Sequence, residues 1–130
     1  MENKICVDTD IVIDVLRGQK EALEFIRSHE AGSELCMTMM TLFELYVGAI
    51  RSNRKGRIES VDDLRQRFVL LELSADAVKE AAQIHVSLAQ KGTMVDYKDV
   101  LIAATTMVNG CTFKTRNTRH FARIEGLRLA

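Results

Sequence analysis

Asp8, Glu44 and Asp99 each stand inside or at the edge of an apolar stretch. Asp8 follows Ile5-Cys-Val and precedes Thr9, Asp10 and a second apolar run at residues 11–16; Glu44 interrupts the apolar residues 40–50; Asp99 leads into residues 100–108, apolar almost throughout. A carboxylate beside a buried segment needs a partner, since an unpaired buried charge is costly. Helix capping accounts for one acid of the Asp8/Asp10 pair and not for both, and Asp96, three residues before Asp99, adds repulsion. A bound cation would relieve these charges. With no Cys or His interleaved among the acids, an all-oxygen donor set suits Mg²⁺ or Mn²⁺. Such an ion polarises a phosphoryl oxygen and activates water for in-line attack on a phosphodiester. The segment from Lys114 through Arg116, Arg119 and Arg123 to Arg128, with Glu125 its single acid, would hold a polyanion beside that centre. A second basic cluster, Arg51, Arg54, Lys55 and Arg57, reads as a solvated face.

The acids can cooperate only if the fold brings them to one place. Residues 5–7 read as a buried strand delivering Asp8 to its end, and residues 11–16 as a short helix stopped by Gly18. A helix follows at residues 21–29, then a strand at 35–38 ending in Thr38, then the helix at 40–50 that carries Glu44. Residues 51–67 predict a loop and an amphipathic helix with Ile58, Val61, Leu64 and Phe68 inward, and residues 68–73 a third strand. Ser74 caps a helix running to Gly92, on whose apolar stripe His85 reads as a core or boundary histidine. The helix at 100–108 is apolar nearly all round and must be buried, with Asp99 in its first turn, where the helix dipole favours an acid. Residues 112–114 make a last strand. Short strands alternating with helices give an α/β fold, a mostly parallel sheet of four to five strands with helices on both faces. In such sheets ligands bind at the carboxyl ends of the strands, where Asp8 stands.

The chain is 130 residues long with zero formal net charge, and it contains no proline, no linker and no internal repeat, which fits one domain spanning residues 1–130. Its longest strongly apolar run is too short to span a bilayer, and no signal-peptide pattern opens the chain, so a soluble cytoplasmic protein is expected. Cys6, Cys36 and Cys111 lie singly in apolar segments, as small core residues do, not in the close pairs of a zinc site or disulfide framework.

Asp8 after an apolar strand, Thr41-Leu-Phe-Glu44-Leu-Tyr-Val-Gly48, Asp99-Val-Leu-Ile-Ala-Ala, and Thr115-Arg-Asn-Thr-Arg-His-Phe121 with Gly126-Leu appear in the order of the PIN domains. The chain resembles the VapC toxins of bacterial and archaeal toxin-antitoxin pairs, over essentially its whole length. The resemblance implies a PIN-like three-layer α/β/α sandwich and a Mg²⁺- or Mn²⁺-dependent endoribonuclease. It also implies a homodimer, a structured RNA such as tRNA as substrate, and a cognate VapB-like antitoxin that inserts a basic side chain or C-terminal segment into the acidic site. Asp8, Glu44 and Asp99 match the family's acidic triad as catalytic and metal-binding residues. Thr9, Asp96, Thr115 and Asn117 are accessory candidates, and Lys114, Arg116 and Arg119 are candidate RNA contacts. Asn117 replaces a fourth acid found in many PIN domains, and His120 stands where some relatives have Glu, which leaves a second metal position open.

The opening Asp8-x-Asp10 after an apolar strand also resembles the nucleophile motif of haloacid-dehalogenase phosphatases, in which Asp8 would take the phosphoryl group and Asp10 act as general acid. That reading lacks a later strand ending in paired acids. A third reading is a metal-free PIN-like module that binds RNA or protein, its acids serving only as caps.

Overall fold

The computed structural model describes residues 3–130, which form four strands and seven helices. They run β1 (Asn3–Val7), α1 (Thr9–Leu16), α2 (Lys20–His29), β2 (Ser33–Thr38), α3 (Met39–Ser52), α4 (Arg57–Arg65), β3 (Val69–Leu71), α5 (Ala75–Gln90), α6 (Tyr97–Val108), β4 (Thr112–Lys114) and α7 (Thr118–Phe121). The strands pair in the order β3-β2-β1-β4, every pair parallel. The chain end adds an isolated parallel bridge between Phe113 and Leu129 beyond β4. Each of the three connections between successive strands carries a pair of helices, and each crossover returns the chain to the same edge, as parallel strands require.

Successive strand residues face opposite sides of a sheet, so alternation divides the interior in two. Ile5 and Val7 of β1 and Leu35 and Met37 of β2 pack with α1 to α4, whereas Cys6, Cys36 and Phe113 pack with α5 and α6. Helices therefore cover both faces, the α/β/α sandwich expected from the sequence. The three cysteines are free and buried within the second layer, with Cys6 opposite Cys36.

Two boundaries differ from expectation. The third strand is only Val69–Leu71, its neighbour Phe68 having turned into the core beneath α4. Val61 and Leu64 form the inner stripe of α4, but Ile58 is 44% exposed, because it lies in the first turn, which starts at a left-handed Gly56 (φ +85°) at the rim of the domain. The helix predicted at 100–108 begins three residues earlier, capped by Asp96, and buries Val100, Ile102 and the Ala103–Thr106 run against the sheet. No helix among the described residues is long and apolar enough to cross a membrane.

Candidate active site

The parallel order sends every strand's carboxyl end to one edge. The chain steps from β1 to β2 to β3 in one direction and then returns to place β4 on the other side of β1, so a crevice opens between β1 and β4. Asp8 leaves β1 at this crevice and Thr115 leaves β4 opposite it. Asp8 is also the N-cap of α1: its Oδ1 accepts the Thr9 backbone N–H at 2.8 Å, while Oδ2 accepts the Thr115 hydroxyl at 2.8 Å.

Thr9 links this acid to the next. Its hydroxyl donates to Glu44 Oε1 at 2.7 Å and lies 3.0 Å from the Thr41 hydroxyl. A hydroxyl carries one hydrogen, so Thr41 is the donor in the second contact. Thr41 and Glu44 are three residues apart on α3 and share a helix face. Thr38, ending β2, accepts the Thr41 N–H and starts α3 at the height that brings Glu44 over Thr9.

Asp99 approaches from the first turn of α6. Its Oδ2 lies 3.0 Å from His120 Nε2, and the preceding residue, Lys98, places its ammonium 2.9 Å from Glu44 Oε2. The hydrogen bond to Glu44 holds the Lys98 amine above the usual lysine range, and the charges of Asp99 and Asp96 act in the same direction. Burial, with the charges of Asp10 and Asp99 acting in the same direction, holds the Asp8 carboxyl up at about 6 against the opposing hydrogen bonds from Thr115 and Thr9. Asp8, Glu44 and Asp99 are thus brought into one electrostatic neighbourhood, tied through Thr9 and Lys98.

The remaining candidates separate by what their polar atoms do. Asp96 is exposed and accepts the Lys98 N–H at 3.1 Å as the cap of α6. Asp10 accepts the Ile11 N–H at 2.7 Å and, through Oδ2, the Arg116 N–H at 3.0 Å, so it pins the loop after β4 to the start of α1. Arg116 reinforces the same junction by pairing with Asp14 at 3.3 Å. Lys114 lays its ammonium 4.9 Å from the centre of the Phe25 ring. Of the three predicted RNA contacts, Arg119 alone among the described residues is exposed without a side-chain ion pair or hydrogen bond. Asn117 is exposed at the start of α7, its backbone N–H bonded to the Thr115 hydroxyl at 3.1 Å.

Among the described residues no three His, Cys, Asp or Glu side chains already converge as a finished metal-binding shell. The donor chemistry nonetheless fits a hard divalent cation: oxygen donors from Asp8, Glu44 and Asp99, with Asp8 buried beside two further carboxylates that oppose its ionisation. Each carboxylate oxygen named above carries two lone pairs and accepts one hydrogen bond, which leaves acceptor capacity on all three acids. Lys98 and Thr41 had no role in the sequence reading. Thr41 was legible from its i, i+3 spacing to Glu44, whereas the Lys98 pairing joins two helices and has no local signal.

A model of the PIN domain family matches residues 5–127. The chain is 32% identical over 127 residues to a tRNA(fMet)-specific endonuclease VapC of Salmonella typhimurium, covering 97% of this chain and 96% of that protein. Among solved structures, a DNA-bound VapBC complex of Salmonella typhimurium superposes with a TM-score of 0.85 at 27% identity, covering 98% of this chain and 97% of that one. The VapBC2 complex of Rickettsia felis, bound to a promoter DNA fragment, reaches a TM-score of 0.91 at 22% identity, with 98% and 97% covered. The phosphatase reading of Asp8-x-Asp10 falls here, because the match runs through all four motifs and both Asp10 oxygens are committed to the backbone. With this sheet order, this acidic edge and this alignment from end to end, the chain belongs to the PIN-domain family, in its VapC branch.

Proposed function

We propose that the protein is a Mg²⁺- or Mn²⁺-dependent endoribonuclease, the toxin of a toxin-antitoxin pair. The observation that carries this reading is the convergence of Asp8, Glu44 and Asp99 at the carboxyl edge of the sheet, around the carboxylate of Asp8, whose burial, with the charges of Asp10 and Asp99, raises its proton affinity. Asp8, Asp99 and Glu44 would hold the ion, which when bound supplies Lewis-acid stabilisation and a more acidic water. Thr115 and Thr9 orient Asp8 and Glu44, and Asp10 fixes the loop that carries Thr115. Arg119, exposed and without a side-chain partner among the described residues, is the candidate first contact for the RNA backbone, with Arg116 and Lys114 as further candidates.

The Salmonella relative, a tRNA(fMet)-specific endonuclease, supports tRNA as the substrate class, and the VapBC complexes support an antitoxin as partner. A homodimer in the cytoplasm is the expected form of the free toxin. Exposed Phe43 and Ile50 on α3, Val78 on α5 and Tyr97 on α6 provide apolar surface that a second copy would cover.

Incubation with total RNA and Mn²⁺ is expected to give discrete cuts, mappable by end sequencing and abolished by EDTA. Intact RNA under all conditions overturns the nuclease, and EDTA-insensitive cutting overturns its metal dependence. Two Mn²⁺ titrations, of the wild type and of an Asp8→Asn, Asp99→Asn double variant, separate the nuclease from a metal-free binding module, for which the two would coincide.

Thr9 offers a milder probe. Thr9→Val keeps the shape but removes the donor to Glu44 Oε1, so RNA cleavage is expected to fall about 10-fold, at the low end for loss of an outer-shell partner. Thermal unfolding should move by only a few degrees; wild-type cleavage by this variant would remove Thr9 from the site.

A further inference from the structure

We propose that Arg123 and His120 form a positioning relay that fixes the carboxylate of Asp99, a role that rests on the metal-site reading above. Arg123 grips a single residue with two nitrogens: Nε donates to the His120 carbonyl oxygen at 3.1 Å, and Nη2 contacts His120 Nδ1. A guanidinium can only donate, so Nδ1 must present its lone pair and the ring hydrogen must sit on Nε2. That nitrogen faces Asp99 Oδ2 at 3.0 Å. The tautomer, and with it the direction of the His120–Asp99 hydrogen bond, is therefore set by Arg123.

The ring itself has little freedom. It stands edge-on to Phe121 at 5.0 Å between centroids and 83° between planes, and Phe121 is wedged in turn against Phe113 at 4.8 Å. Both phenylalanines are fully buried. His120 is thus anchored from the core while only its two nitrogens meet polar groups.

Helix capping does not require this arrangement, because Asp96 caps α6 and the side-chain hydrogen bond of Asp99 goes to His120 alone among the described residues. The bond to Oδ2 fixes the plane of the Asp99 carboxylate and leaves Oδ1 without a hydrogen bond among the described residues, its lone pairs open to a cation. Hydrogen bonds that orient a ligating carboxylate in this way commonly govern metal affinity. The relay acts through Asp99 and touches no reacting atom, so Arg123 and His120 are positioning residues.

Mn²⁺ binding, followed by the electron paramagnetic resonance signal of free ion, tests the relay without an activity assay. His120→Ala is expected to weaken binding about 10-fold, and His120→Gln, which keeps a side-chain N–H donor, to restore most of it. Arg123→Leu should weaken binding in the wild type yet add nothing to His120→Ala, since the two residues act in series. Unchanged or tighter Mn²⁺ binding by His120→Ala, or additive losses in the double variant, overturns the relay. Asp99→Asn separates the two levels: if it alone loses binding, the metal site stands and the relay is wrong, whereas wild-type binding by Asp99→Asn defeats the metal reading together with the relay. Circular dichroism and thermal unfolding accompany each variant; should His120→Ala not fold, the Gln variant and Arg123→Leu decide the matter.

Discussion

Asp8→Asn is expected to lose RNA cleavage by more than the roughly 10–100-fold that follows removal of an outer-shell partner, and at the same time to make the metal-free protein more stable near neutral pH. The two effects have one cause. Asp8 is 8% exposed and its carboxyl is pushed up from 3.8 to about 6, first by burial and then by the charges of Asp10 and Asp99. The folded chain therefore holds this proton more tightly than the unfolded chain. Where the native state binds more protons, stability falls as pH rises. The penalty is absent below pH 3.8, grows as pH rises through that value, and is complete above about pH 6. At about 1.4 kcal/mol per unit it amounts to on the order of 2–3 kcal/mol.

Asparagine carries no charge to desolvate. Its carbonyl can accept the Thr9 N–H, and its amide can donate to the Thr115 hydroxyl, so the local hydrogen bonds survive with Thr115 turned about. Urea unfolding in EDTA between pH 4 and 7 measures the difference: the wild type should lose stability over this window and the variant should show a shallower slope. Parallel curves would mean that Asp8 is not the strained acid of the site. Mn²⁺ should restore the wild type selectively at pH 7, because a ligand that binds only the folded state stabilises it by mass action. A site that gives up stability for function is expected where an acid is held ready for a cation.

Much of this was legible because it is written locally. The alternation of Ile5 and Val7 with Cys6 separates the two faces of the sheet, and the polar residues after each apolar strand mark the edge where the acids gather. Asp99 was legible as an acid too close to a buried helix, and Ser74 as a cap. What escaped is joined across the chain. Nothing near Asp10 shows that it accepts the N–H of Arg116, more than a hundred residues away, and nothing near Lys98 shows that it reaches Glu44 on another helix. The basic residues illustrate the same limit. Composition places Lys114, Arg116 and Arg119 together, but only the fold reveals that one lies over Phe25 and another pairs with Asp14. Ile58 fits the helical period of its neighbours and is exposed all the same, since periodicity does not say how far the layer extends over a first turn.

Thr115→Val is the second large effect expected, and it separates the support of the site from its proposed metal ligands. The Thr115 hydroxyl donates to Asp8 Oδ2 at 2.8 Å, lies 3.4 Å from Asp10 Oδ2 and accepts the Asn117 N–H at 3.1 Å. Valine matches the shape, so the 4% exposed position should still pack. The cost falls on Asp8, which loses a charge-facing hydrogen bond while remaining buried, a loss of about 1.5–3 kcal/mol when the carboxylate is ionised. The loss should shrink at low pH, where Asp8 carries its proton, and should largely vanish in an Asp8→Asn background, because the charge that needed the hydroxyl is gone. Cleavage should drop about 10–100-fold, since Asp8 keeps its oxygens but not their orientation. Thr115→Ser, which retains the donor, should recover most of the rate and the stability. Equal defects in the Ser and Val variants would assign Thr115 to packing; a Val defect that Ser repairs and Asp8→Asn absorbs would place it on the carboxylate, holding one edge of the crevice while Thr9 holds the other.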